Sequence, residues 1–443
     1  MVRLFRAPAS GRRLRSLLLS AAALALLAPL PGLAQLVTGR FITSADSWEK
    51  FDTVGVSHKV FRAYQSAIVD IAQGNYSLHT NMQAAITSAD VVNEDSDYRL
   101  YSLFARIKDV AGRVDISLGR IPYFQGVGLG TVDGAMVSGR IPENLGRVTL
   151  YGGASVESDY GVHEYGTMKD KFVLGGQAVL TPIPNLRGSL SYTNRRSPLP
   201  SYYALRVDPQ TLDASSVFVV PGPAREQLGG LDASYTWQQT TFYGRYDYDF
   251  EGRKTQRGQI GARYAVNPDL LITLDAIHRE PRVAAGSFFS QFTLKGVTEV
   301  EAGADYFVLP GIRTFLRGAY VAYDGDNSVR YSAGIGRNDV QLVFRGNTGY
   351  AGELTSISLQ GAYPLLDNHV VPNAGLSYMS YRIETGSPRL NATSAVLGAT
   401  LRPVQMISLD LQGQWMNNYI VKSDFRFVGR LHFWFSEHLN IFE

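Results

Sequence analysis

The chain has 443 residues, 42 Lys+Arg against 39 Asp+Glu for a formal net charge of +3, 25 Tyr, 44 Gly and no cysteine. Without cysteine there is no disulfide scaffold, thiolate metal site, iron–sulfur ligation or covalent c-type haem attachment. Five arginines lie in Met1–Arg15, so the remainder holds 37 bases against 39 acids, a balance of about −2 that points to no nucleic-acid partner.

From the N-terminus, Met1–Arg15 carries no acid, Ser16–Leu30 is almost wholly apolar, and Gly32-Leu33-Ala34 offers small residues at signal-peptidase spacing. This predicts a cleaved secretory signal peptide over residues 1–34, because the apolar run is short for a membrane span and breaks at Pro29 and Pro31. Arg15 and Ser16 interrupt the apolar residues that a twin-arginine signal needs after Arg12-Arg13, so export is expected by the general route, unfolded. Residues 35–443 are expected to form one domain, and no run of 18 uninterrupted apolar residues suggests a transmembrane helix in it.

The mature chain alternates instead. Leu36–Ser44 is a first strand or a tether, and Ala45–Phe51 is polar. Strands are expected at Val54–Ile71, Tyr76–Ala89, 98–107 and 112–121, separated by Gln73-Gly74-Asn75, the acidic Asn93–Asp97 and Asp109–Gly112. In the last of these Val114, Ile116 and Leu118 oppose Arg113, Asp115 and Ser117, the period of two that marks a strand with unlike faces. The Gly-rich segment between Arg120 and Gly134 reads as a loop between strands. Its Gly126, Gly128 and Gly130 are spaced as in phosphate-cradling loops, but no helical segment follows and the G-K-[S/T] ending is missing.

Alternation resumes at Arg147–Val156 and is clearest at Thr241–Glu251, where Phe242, Gly244, Tyr246, Tyr248 and Phe250 oppose Tyr243, Arg245, Asp247 and Asp249. It recurs at Leu270–Ala276, Val340–Phe344, Ile357–Tyr363 and Ile407–Trp415. In Phe425–Phe435 the phenylalanines and Leu431 face one way and Arg426, Arg430 and His432 the other, as in the closing strand of a membrane barrel with lipid outside and water inside. Short turns at Pro142–Gly146, Thr181–Asn185, Asn267–Asp269, Leu309–Gly311, Pro364–Asn368 and Arg402–Val404 alternate with longer polar connections such as Glu157–Asp170, Glu280–Ser287 and Glu384–Asn391. That is the short-periplasmic, long-extracellular asymmetry of outer-membrane barrels.

The prediction is therefore an all-β, transmembrane antiparallel up-and-down β-barrel of roughly 18 to 22 strands, even in number. Residues 288–308 count as one strand rather than two on parity. The connection Arg195–Gly230, with prolines at 198, 200, 209, 221 and 223, is too long for a simple turn. It is expected to fold into the lumen or over the mouth and act as the constriction.

On the lumen side the pattern places Arg113, Arg147, Arg245, Arg263, Arg313, Arg317, Arg345, Arg426 and Arg430 against Asp115, Asp247, Asp249, Asp275, Asp339 and Asp410. Opposed basic and acidic walls impose a transverse field on a permeating solute. The same charges also neutralise one another across strands, which is the plainer account of any single pair. The seven histidines form no metal-ligand spacing, His163-Glu164 is a close His/carboxylate pair in a loop, and nothing nominates a nucleophile. No cofactor, metal or enzymatic activity is expected.

Three short motifs narrow the reading: Tyr98-Arg99-Leu100-Tyr101 entering a strand, then Gly119-Arg120, then Val132-Asp133-Gly134 opening the next strand. Together they resemble porin-type outer-membrane barrels, and more narrowly the porin-like barrels that sheathe multihaem cytochromes in electron conduits. The resemblance implies that Arg120 and Asp133 sit near the outer mouth as a structural ion pair. It also implies a chain placed in the outer membrane of a Gram-negative cell by the barrel-assembly machinery. Such barrels commonly end on an aromatic residue, whereas this chain ends Phe442-Glu443, which leaves Phe435 or Phe442 as the closing signal. The expected function is passive diffusion of ions or small polar solutes. The alternative is a scaffold whose lumen holds a multihaem cytochrome, any haem then belonging to that partner; a barrel hydrolase is a third class.

Overall fold

The computed structural model describes residues 35–51, 57–87, 98–162, 168–199, 201–207, 210–211, 213–283, 289, 292, 294–350, 352–384 and 386–439. The expected leader, the acidic segment Asn93–Asp97, the His163-Glu164 pair and Phe442-Glu443 lie outside these residues.

Nine strands come first: β1 (Gln35–Phe51), β2 (Ser57–Gln73), β3 (Tyr76–Thr87), β4 (Tyr98–Val110), β5 (Val114–Gln125), β6 (Gly128–Ile141), β7 (Gly146–Ser155), β8 (Phe172–Ile183) and β9 (Leu186–Ser197). A separate hairpin follows, β10 (Tyr202–Val207) and β11 (Ala214–Val219). Then come β12 (Ala224–Trp237), β13 (Thr240–Asp249), β14 (Lys254–Asn267), β15 (Leu270–Arg279), β16 (Val297–Leu309), β17 (Ile312–Tyr323) and β18 (Asp326–Gly336). The last six are β19 (Val340–Gly349), β20 (Glu353–Ala362), β21 (Val370–Arg382), β22 (Leu390–Val404), β23 (Ile407–Asn417) and β24 (Asp424–Leu439).

All but β10 and β11 belong to one 22-stranded sheet in which chain neighbours pair antiparallel and β9 pairs directly with β12. β1 pairs with β24 from Gln35↔Leu439 to Ser47↔Phe427, which closes the sheet into a barrel and leaves it no edge. Closure pairs the first strand with the last, so that backbone groups bond strand to strand round the wall, the condition for crossing hydrocarbon with strands. No helix among the described residues is long and apolar enough to cross a membrane.

The register carries the period of two round the whole wall. Ile272, Ala304, Leu316 and Ala333 line up across β15 to β18 on the outer face, while Thr273, Gly303, Arg317 and Ser332 line up on the inner one. Exposed outward aromatics gather in two girdles, Tyr235, Phe242, Tyr264 and Tyr306 near the short turns and Tyr246, Tyr320 and Tyr378 near the loops. In β20 the adjacent Ser358 and Leu359 face the lumen and the outside respectively, beside Ser377 and Leu376 of β21. Leu359→Arg should cost about 2–4 kcal/mol in urea-unfolding titrations in bilayers, and Ser358→Arg close to nothing. Equal costs would mean that the outer face is not lipid-facing.

Three expectations need adjustment and one holds. β1 runs through the polar Ala45–Phe51, because Ser44 and Asp46 lie on the lumen face opposite Arg430 and Val428. Among its described residues the 288–308 region contributes one strand, β16, as parity favoured. The turn read at Arg402–Val404 falls two residues later: β22 continues to Val404, and Pro403 sits where the register shifts between Leu401 and Val404. The Gly-rich segment after Arg120 is not a loop but most of a hairpin, with only Gly126-Val127 outside β5 and β6.

Candidate functional site

That hairpin leaves the wall. β5 pairs with β4 only as far as Arg120↔Leu103, and Pro122, which has no N–H to offer, lies in the part with β6 as its sole ladder partner. At the point of departure Gly119, Gly134 and Gly153 stand side by side across β5, β6 and β7. A Cβ on Gly134 would collide with the Gly152 carbonyl, one on Gly153 with the Asp133 carbonyl, and one on Gly119 with the Leu103 carbonyl. The three strands approach so closely here that only glycine fits, and Gly119 (φ 128°) and Gly153 (φ 155°) take backbone conformations that side chains resist.

Beyond this row the tip lies across the inner face of β7 to β9 and β12. The Val127 amide donates to Ser191 Oγ at 3.1 Å, and Val127 packs against Gly230. Tyr123 stacks on Tyr151 with ring centroids 4.3 Å apart. With Phe104, Ile121, Val132, Met136 and Val173 these rings form a buried apolar cluster on the lumen side of one wall. Residues beyond β7 close the gap on the other side, the Leu100 amide donating to the Tyr160 carbonyl at 3.0 Å.

Arg120 joins these pieces. Its Nε and Nη2 donate to the two Asp133 carboxylate oxygens at 2.7 and 2.8 Å, and its Nη1 donates to the carbonyls of Leu100, Tyr160 and Gly161 at 3.0, 3.2 and 3.2 Å. One planar guanidinium thus ties β4, β5, β6 and the segment after β7 together, a fork that lysine does not reproduce. The pair is nearly shielded from solvent, at 8 % and 11 % exposure.

The remaining lumen-facing charges fall into a paired wall and a scattered set of single cations. Along β13 to β18, Arg245 contacts Asp247 (2.9 Å), and Asp305, 6 % exposed, takes both Arg313 (2.6 Å) and Arg317 (3.2 Å). Arg330 reaches Glu299 and, at 3.4 Å, Glu301. Asp275 accepts from the Tyr243 hydroxyl and from Gln259 Nε2 (3.3 Å), and Arg263 lies 5.4 Å over the Tyr243 ring. Asp249 caps its own turn through the Glu251 and Gly252 amides, while Asp339 meets Arg337 in the turn before β19 (3.1 Å). Arg426 pairs with Asp424 (2.8 Å). Asp410 faces Arg430 in the register but contacts His432 (3.2 Å) and Thr400 (2.6 Å) instead. Arg113, Arg147, Arg345 and Arg430 have no carboxylate partner among the described residues.

The pattern reading passed over Glu299, Glu301, Asp305 and Arg330, although the first three recur at even spacing and the unsettled bounds of residues 288–308 hid their register. It also assigned the constriction to Arg195–Gly230. That connection carries the β10–β11 hairpin with Tyr203, Leu205 and Val220 at 71–79 % exposure, so these side chains pack on neither the wall nor the lumen. The inward-folded element is residues 121–132.

No protein-family model matches the chain, and no curated protein matches it. Among solved structures it is similar to the translocation pore of the P pilus usher PapC (TM-score 0.47, 8% identity, 90% of this chain and 99% of that one). It is also similar to OccK5 (OpdH) of Pseudomonas aeruginosa (TM-score 0.42, 9% identity, 90% and 98%) and OccAB4 of Acinetobacter baumannii (TM-score 0.41, 10% identity, 92% and 100%). Likenesses this low carry no inference about what the chain does; its barrel architecture stands on its own closed, hydrogen-bonded sheet.

Proposed function

We propose that this protein is an outer-membrane channel through which ions and small polar solutes diffuse passively, narrowed by the inward hairpin 121–132. The observation that carries this is a closed 22-strand wall, apolar outside and charged inside, into which one short hairpin folds among the described residues. With strands about 4.8 Å apart and tilted roughly 40°, a circular section has a backbone diameter of about 45 Å, far wider than a hairpin fills. The paired wall of β13 to β18 and the single cations of Arg147 and Arg430 then set the field that a solute crosses. The reading includes cleavage of residues 1–34, checked by the N-terminus of the mature protein, and insertion by the barrel-assembly machinery. Among the described residues no lumen feature favours a sleeve around a multihaem cytochrome.

Single-channel conductance in planar bilayers tests it. Replacing Pro122–Thr131 by a two-residue Asn-Gly turn should raise the open level severalfold, whereas trimming the 198–223 connection should leave it within a few tens of per cent. A refolded, heat-modifiable barrel that passes no current would refute the channel.

A further inference from the structure

Beneath the hairpin lies a polar cavity of about 300 Å³, lined by groups from β4 to β8 and roofed in part by Gln125 from the hairpin itself. Its volume falls at the small end of ligand pockets. Two cations, Arg106 and Arg147, border it with a single carboxylate, Asp115. That carboxylate is already engaged: it accepts the Asp109 amide at 3.0 Å and lies 4.0 Å from Arg140, which also pairs with Asp109. Arg147 stands directly opposite Arg140 in the β6–β7 register, so the local charge is positive and Arg147 is left over.

Arg106 is held by its Nε, which donates to Ser117 Oγ at 3.1 Å, and by the Phe104 ring 5.3 Å from its guanidinium carbon. Its terminal nitrogens remain for a ligand. Gln125 makes no side-chain hydrogen bond among the described residues, while Ser138 and Thr149 bond each other at 2.9 Å and present an oriented pair of hydroxyls. One held and one unpaired guanidinium, one unengaged amide and hydroxyls around a small volume match an oxyanion and repel a cation.

We propose that this cavity is a binding subsite for a small solute bearing a carboxylate or phosphate group, and that such solutes are the channel's preferred cargo. This rests on the channel reading and sharpens it. Entering solutes meet the subsite as the hairpin narrows the lumen, so weak binding there raises local concentration without trapping the solute.

The test is isothermal titration of the detergent-solubilised barrel with sodium succinate and, separately, inorganic phosphate at low ionic strength, alongside bilayer recordings. Saturable binding of either anion is expected, the stronger one naming the group, with about tenfold loss in Arg147→Gln and in Arg106→Gln and retention in Arg147→Lys. Arg345→Gln, which removes an equally unpaired lumen cation far from the cavity, should leave binding unchanged; heat-modifiable migration confirms that each variant is folded. Failure to bind either anion, or an equal loss in Arg345→Gln, overturns the subsite. A barrel that conducts without binding leaves the channel standing and the subsite refuted, and one that binds without conducting does the reverse.

Discussion

Arg120→Ala is expected to free the hairpin and to produce a larger, noisier pore. The substitution leaves the Asp133 carboxylate without its bidentate partner and strips the Leu100, Tyr160 and Gly161 carbonyls of a shared donor. Breaking one side of a shielded ion pair costs about 3–5 kcal/mol, because the surviving charge stays buried. The ladder of the other strands does not depend on Arg120, so the loss should fall on the tip. Thermolysin should cut between residues 121 and 132 in the variant while sparing the wild type, and the single-channel open level should rise towards that of the hairpin-deleted barrel. Asp133→Asn should be milder, since Arg120 keeps three carbonyls and an amide oxygen. Unchanged protection and conductance in Arg120→Ala would mean that the Tyr123–Tyr151 stack and the Val127–Ser191 bond hold the tip without it.

The alternation of Phe425–Phe435 was legible because a strand between lipid and water must present unlike faces at every second residue, and the register confirms that parity from β24 round to β1. Turn chemistry was legible for a similar local reason, apart from Pro403, which a register shift accommodates inside a strand. The hairpin was not legible. Its glycines look like a flexible connection when read singly, and their meaning appears only when Gly119, Gly134 and Gly153, from three strands, come into line. The same holds for charge. Asp410 and Arg430 are matched by parity and paired in register, yet side-chain reach turns Asp410 to His432. Period two decides which side a residue faces; the partner it meets depends on length, rotamer and the neighbouring strand.

The glycine row gives the other large effect. At Gly153 an added methyl meets the Asp133 carbonyl and the Gly134 Cα, both backbone atoms that no rotamer change removes, and the φ of 155° is one that alanine resists. Overpacking of this kind costs about 1–3 kcal/mol and the backbone strain a similar amount, so Gly153→Ala should lose roughly 2–6 kcal/mol in urea titration of the refolded barrel. Gly139→Ala, on β6 five residues past Gly134 and with open space where its methyl would go, should change stability by no more than about 0.5 kcal/mol. The strain at position 153 is relieved without unfolding if β6 and β7 separate, the bend flattens, and residues 121–132 swing back toward the line of the wall. Gly153→Ala should therefore couple its stability loss to a rise in conductance, and a variant that loses stability at unchanged conductance would show that the row packs the wall without bending the hairpin.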